Sequence, residues 1–459
     1  MYLHGTMEIN ASGHLEIGGV DTVELANVYR TPLFVYDVAL IKERMNAFKD
    51  AFEKKQVAYQ VAYASKAFST VGMYQLAHSA GLSIDVVSGG ELFTALKAGV
   101  PASTIHFHGN NKSIDELKMA LDEQIGCIVV DNFYELKTIQ TLAEERGQTV
   151  PVLLRLTPNV EAHTHEYITT GQEDSKFGFD LASGQATKAI GICIADEYLH
   201  LLGVHSHIGS QIFETDGFVL AIEKVFENLA LWKQTFNYEP AVLNFGGGFG
   251  IRYVDGDTPL HPSVYVEKIV DETIKHTTKL EMNMPEIWIE PGRSIVGDAG
   301  TTLYTIGSQK DIPNVRRYLS VDGGMGDNLR PALYEAKYEG MLANRANDKP
   351  EDTFSVAGKC CESGDMLIWD LPLPDVTAND ILAISCTGAY GYSMANNYNR
   401  IPRPAIVFVE DGEAQLVVKR ETYEDLVKLD LPYQQKAVAP LRINDNVCTI
   451  DEVRKRNYE

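Results

Sequence analysis

Eight short apolar runs recur along the middle of the chain, at residues 57–64, 82–88, 104–109, 127–132, 151–158, 200–208, 242–247 and 286–292. Several are continuous rather than alternating, the pattern of strands buried on both faces of a parallel sheet. Amphipathic helical segments separate them. One covers 89–99; another covers 216–236, with Phe218, Val219, Ile222, Phe226, Leu229 and Trp232 on one stripe. Eight strand–helix units over about 250 residues are the size of a closed (β/α)8 barrel of TIM type. An open doubly wound sheet shares the alternation. The barrel is preferred because the unusual residues cluster at strand C-termini throughout.

Those strand ends carry Lys66, Ser88-Gly89-Gly90, His108-Gly109-Asn110, Asp131, Arg155, His207-Ile208-Gly209-Ser210, Gly246-Gly247-Gly248 and Glu290-Pro291-Gly292-Arg293. Barrel enzymes build their active sites from this face. Turn chemistry accounts for Gly89, Gly109 and Asn110, which supply positive φ after a strand. It does not account for a lysine, a histidine and a glutamate at three different strand ends. Lys66 arrives where the alternating strand Tyr59, Val61, Tyr63 emerges at the sheet rim. An amine fixed beside apolar neighbours loses basicity, and a neutral amine condenses with an aldehyde. The triple glycine lets backbone N–H groups close on an anion, at the loop where barrels bind phosphate. Arg293 adds a cation for phosphate or carboxylate. A lysine plus a phosphate site points to a phosphorylated aldehyde, pyridoxal 5'-phosphate. Glu290 is placed to keep its pyridine nitrogen protonated, and His207 to stack on its ring.

The chain has 459 residues and a net charge of −23, which argues against nucleic acid or an anionic membrane as partner. The start Met1-Tyr2-Leu3-His4-Gly5 lacks the basic and apolar parts of a signal peptide. Six cysteines, none in a CxxC pair, suggest a reducing cytoplasm rather than a disulfide framework. No cluster has metal-ligand spacing, so no metal is expected. After residue 300 the alternation fades into β-rich runs at 301–308, 316–321, 366–370, 380–386, 404–409 and 414–419, the mark of a second, all-β domain. The expected division is 1–36 as strands joining that β domain, 37–292 as the barrel, and 293–459 as the β domain itself.

Seven motifs stand in order: Tyr63-Ala64-Ser65-Lys66-Ala67, His205 to Gln211, Gly246-Gly247-Gly248, Glu290-Pro291-Gly292-Arg293, Arg330-Pro331-Ala332-Leu333-Tyr334, Cys361-Glu362-Ser363-Gly364-Asp365 and Gly388-Ala389-Tyr390. With them the chain, from about Pro32 to about Val438, resembles the fold-type III pyridoxal-phosphate decarboxylases of basic amino acids, and within them the branch acting on diaminopimelate. The resemblance implies an alanine racemase-like barrel-plus-β fold and decarboxylation of meso-2,6-diaminopimelate to L-lysine. Lys66 would hold the cofactor covalently, with His207 on its ring and Glu290 at its nitrogen. Ser210, Gly247, Gly248 and Tyr390 would hold its phosphate. Arg293, Arg330, Tyr334, Glu362 and Tyr390 would contact substrate, and Cys361 would return a proton. It also implies a homodimer with shared sites, the Cys361–Glu362 segment coming from the other subunit. Lys359-Cys360 departs from the pattern by placing a second cysteine beside the expected one. Rival readings are an amino-acid racemase, an ornithine- or arginine-type decarboxylase, and a catalytically dead regulatory homologue.

Overall fold

A computed structural model of the chain describes residues 1–160 and 176–433. Eight parallel strands form the barrel: β1 Tyr59–Ala64, β2 Ser83–Val86, β3 Ile105–Phe107, β4 Cys127–Val130, β5 Val150–Thr157, β6 Leu199–Ser206, β7 Val242–Asn244 and β8 Glu286–Ile289. Each pairs with its neighbours in sequence, and β8 returns to β1 through Ile287↔Tyr59. The β4–β5 pairing, with Ile128↔Val152, leaves no open edge. The closed barrel therefore holds, and the open doubly wound sheet does not.

All eight expected strands exist, but most stop two to three residues earlier than their apolar runs. After β3, β4, β7 and β8 the run continues into a buried first loop residue, namely His108, Asp131, Phe245 and Glu290, whereas Val87 after β2 is exposed. Helix Asp216–Phe236 has the expected limits. Side chains at strand ends cap the helices that follow: Ser88 accepts from Glu91 N, Ser113 forms a capping box with Glu116, and Asn132 accepts from Glu135 N. Of the three expected positive-φ residues only Gly109 has one, at 117°. Gly89 instead opens helix Gly89–Lys97.

A second sheet runs in the order Met366–Leu373, Asp352–Ala357, Arg316–Val321, Gly300–Ile312, Leu33–Asp37, Ala405–Glu410, Glu413–Val418. Its long central strand Gly300–Ile312 also pairs with Ile381–Ile384, which in turn pairs with Gly340–Leu342. Leu33–Asp37 lies antiparallel to Gly300–Ile312 and parallel to Ala405–Glu410, so a segment preceding the barrel sits inside the sheet that follows it. Residues 8–21 form a separate small three-stranded sheet, and Thr22–Tyr29 is a helix that the strand reading of this region did not anticipate. The core is continuous across both parts, since Phe34, Tyr36, Ile406 and Phe408 of the sheet pack with the barrel's apolar residues. Met1–Glu421 makes one compact unit. Beyond it, the short helix Tyr423–Val427 has its own capping box at Thr422.

Candidate active site

Lys66 lies in the turn Ser65–Ala67 that immediately follows β1. Ser65 and Ala67 are buried, whereas Lys66 is exposed to the cavity. One cavity at this face is lined by Lys66, His207, Ser210, Gly247, Gly248, Glu290, Arg293 and Tyr390, among others. The lysine turn is pinned from two sides. Ala64 N donates to Pro291 O at 3.1 Å, and Tyr390 N donates to Ala67 O at 2.8 Å. Tyr390 adopts φ of 60°, an uncommon conformation for a bulky residue, and this brings the second sheet's loop against the lysine turn.

Glu290 is buried at the end of β8 and held on three sides. Asn244 Nδ2 donates to its Oε1 at 2.7 Å, while His108 Nε2 lies 2.9 Å from Oε1 and His205 Nε2 3.2 Å from Oε2. Burial alone pushes this carboxyl up. The adjacent imidazoles and their hydrogen bonds overcome that, and hold it well below the usual carboxylate range. Burial also lowers His108 to about 3, so its ring is neutral at pH 7. Glu290 is thus held as an anion by Asn244 and the two histidines around it. Its neighbour Asp85 goes the other way: burial and the charge of Glu290 raise its carboxyl well above the ordinary value. Of these anchors, Asn244 and Asp85 had no role in the sequence reading. Their signal was a polar residue inside a buried apolar strand, Val242-Leu243-Asn244 and Ser83-Ile84-Asp85-Val86. His108 stands in the sequence at a strand end and His205 opens the His205–Gln211 motif, neither with an assigned function.

His207 is depressed well below its ordinary value, first by burial and then by the charge of Lys66. Its Nδ1 accepts the N–H of Gly247 at 3.2 Å, which leaves the proton of a neutral ring on Nε2. The three glycines each have a steric reason. Gly246 and Gly248 have φ of 67° and 102°, and a Cβ on Gly247 would stand 2.1 Å from the carbonyl oxygen of Glu290.

Arg293 is buried in the short helix Arg293–Val296. Its Nη2 donates to Ser210 Oγ at 2.9 Å and its Nη1 to Tyr253 OH at 2.5 Å. Arg330, also buried, begins helix Arg330–Tyr334. The guanidinium carbons of Arg293 and Arg330 lie 5.0 and 5.3 Å from the Tyr390 ring centre, and Arg330 also covers Tyr334. Cys361 and Glu362 are elsewhere. Both are exposed on a loop wrapped around buried Asp365, whose carboxylate accepts from Cys360 N and Met325 N. Neither lines the Lys66 cavity of its own chain.

Residues 38–297 match the family model described as pyridoxal-dependent decarboxylase, pyridoxal binding domain. The chain is 67% identical over 436 residues to the diaminopimelate decarboxylase of Halalkalibacterium halodurans, covering 95% of this chain and 99% of that one. It is 65% identical over 434 residues to the Bacillus subtilis enzyme of the same name, at 95% and 99% coverage. The solved structure of M. jannaschii diaminopimelate decarboxylase in complex with L-lysine is 37% identical, with a TM-score of 0.87, and covers 93% of this chain and 98% of that one. The chain is therefore a member of the pyridoxal-dependent decarboxylases and, within them, of the diaminopimelate decarboxylase family.

Proposed function

We propose that this site decarboxylates meso-2,6-diaminopimelate to L-lysine and carbon dioxide, the last step of lysine biosynthesis, with pyridoxal 5'-phosphate as cofactor. The observation that carries this reading is the single cavity joining Lys66, His207, Glu290, Arg293 and Tyr390. The residues fit the cofactor. Glu290 and Ser210 have separate sets of neighbours, so the cavity offers a buried carboxylate on one side and a hydroxyl with the backbone of Gly247 and Gly248 on the other. Arg293 Nε is buried without a hydrogen-bond partner among the described residues. When bound, the cofactor supplies an aldehyde that captures amines and a ring that accepts electrons from the bond to the departing carboxylate.

The chain's own residues do the rest. Lys66 would hold the aldehyde carbon; Ser210, Gly247, Gly248 and Tyr390 would hold the phosphate. Glu290, held as an anion, would face the pyridine nitrogen and keep it protonated. His207, neutral, lends a flat face without adding charge. Arg293, Arg330, Tyr334, Glu362 and Tyr390 orient the substrate, a contribution worth up to roughly 7–11 kcal/mol in well-aligned systems. Cys361 would deliver a proton to the carbon that has lost carbon dioxide. Cys361 and Glu362 are displayed outward, which supports a homodimer in which each chain completes the other's site. Five free cysteines among the described residues suit a cytoplasmic enzyme, and no described helix is long and apolar enough to cross a membrane. The division into N-terminal strands 1–36, barrel 37–292 and β domain 293–459 belongs to the same reading, with 434–459 lying outside the described residues. Carbon dioxide release from meso-diaminopimelate, ornithine, lysine and arginine, assayed side by side, tests it. Preference for diaminopimelate is expected; equal turnover of ornithine would refute the substrate.

A further inference from the structure

Arg293 and Arg330 differ from the other half-buried or buried arginines near them. Arg44, Arg155 and Arg252 each have a carboxylate within 4.0 Å, namely Asp298, Asp131 and Glu339. Among the described residues, neither Arg293 nor Arg330 has one. Two buried guanidinium groups on one tyrosine ring, without anions, are costly unless anions arrive. Phenols stand beside them instead, and one is hydrogen-bonded to Arg293. Tyr253, 7% exposed, accepts from Arg293 Nη1 at 2.5 Å. Tyr338, 4% exposed, stands beside Arg330, with its hydroxyl buried and without a hydrogen-bond partner among the described residues. The two phenol rings meet edge to face at 5.6 Å and 84°, so each fixes the other.

A phenol suits this task where a carboxylate does not. It orients a guanidinium through a dipole and leaves the positive charge intact for the ligand. Burial raises the Tyr338 hydroxyl, which keeps it protonated. We infer that Tyr253 and Tyr338 are positioning residues that aim Arg293 and Arg330 at substrate carboxylate, and so help select a diamino dicarboxylate over plain amines. The inference rests on the substrate reading above and extends it to residues that need not touch the substrate.

Three ligands separate this role from general damage. Diaminopimelate carries two carboxylates, L-lysine one, and 1,5-diaminopentane none. The experiment uses cofactor-loaded Tyr253→Phe, Tyr338→Phe and the double variant. It measures KM for diaminopimelate, and calorimetric Kd for lysine and for 1,5-diaminopentane. The double variant should raise KM for diaminopimelate and Kd for lysine about ten-fold, which is about 1.4 kcal/mol. The Kd for 1,5-diaminopentane should stay within about two-fold, since no carboxylate is present to be aimed at. Either single variant that folds carries the test alone, with a smaller shift in the same direction. Equal weakening of all three ligands, or unchanged lysine affinity in the double variant, overturns the positioning role. A wild-type enzyme that releases no carbon dioxide from diaminopimelate overturns the substrate reading itself, whatever the variants do.

Discussion

The mouth of the barrel and the loop at Lys359–Asp365 contrast sharply. At the mouth, Glu290 is locked by Asn244, His108 and His205, and the lysine turn by Pro291 and Tyr390. At the loop, the backbone is equally tied down, through Asp365 to Cys360 N and through Asn399 to Cys361 N, yet the side chains of Cys361 and Glu362 face outward. One region is ordered around its own chain's cavity. The other is ordered around Asp365 and Asn399, with Cys361 and Glu362 left exposed. A loop held rigid while presenting reactive side chains outward is what a shared site between two copies requires.

Breaking the mouth gives the largest effect. Lys66→Ala should lower turnover by about four orders of magnitude or more, as loss of a covalent catalytic group does. Borohydride reduction of wild type followed by peptide mapping should label Lys66 alone. Mixing Lys66→Ala with Cys361→Ala then probes the contrast directly. Random subunit exchange makes half the dimers hybrid, each with one intact site, so roughly a quarter of wild-type activity should return. No recovery under proven exchange would mean that the loop does not serve a second copy.

Arg330→Ala comes next. It would leave a substrate carboxylate without its partner, at about 2–5 kcal/mol, or roughly 30- to several-thousand-fold in kcat/KM for diaminopimelate. The cofactor absorbance band should be retained. If kcat/KM is unchanged, Arg330 is not a substrate contact.

Deeper in the barrel, His106 stacks on Trp288 at 4.3 Å, and burial lowers it to about 4. Unfolded, it would take a proton below about 6.5. The depressed folded value means that stability is intact above pH 6.5 and lost as pH falls toward 4. Between pH 7 and 5 this amounts to about 2 kcal/mol. His106→Gln should therefore flatten the acid side of the urea-midpoint curve, and an unchanged slope would count against the neutral buried ring. The exposed loop gives the smallest effect. Alkylation of Cys361 should slow about ten-fold as dimer replaces monomer on raising protein concentration, while buried Cys127, Cys193 and Cys386 stay unreactive throughout.

Much of this was legible in the residues because parallel strands leave a plain signal. A strand covered on both faces must be apolar throughout, so each barrel strand announced itself, and chemistry-bearing residues stood out at its end. The strands Gly340–Leu342 and Asp352–Ala357 were missed because they are short or half-exposed and lack that signal. Lys66, Glu290 and Arg293, which line one cavity, each follow an apolar run and so stand out in the sequence. The anchoring of Glu290 does not, since Asn244 and His108 come from strands far apart in the chain and meet only when β8 closes on β1. Tyr253 is likewise remote in the chain from Arg330, and Tyr338, though close in sequence, lies outside any regular element whose period would mark it. The outward display of Cys361 and Glu362 has no sequence signal, because loop residues carry no period.

The insertion of Leu33–Asp37 into the second sheet also sets a timetable. Its strand partners begin at Gly300, so at synthesis rates of 5–20 residues per second it waits roughly 13 to 50 s for the first of them to be made. During that interval Leu33-Phe34-Val35-Tyr36, entirely buried in the finished protein, is an unpaired apolar strand on a growing chain. Such a segment templates aggregation. The nascent chain thus depends on early barrel packing of Phe34 and Tyr36, or on a chaperone, to keep that strand covered until Gly300–Ile312 emerges.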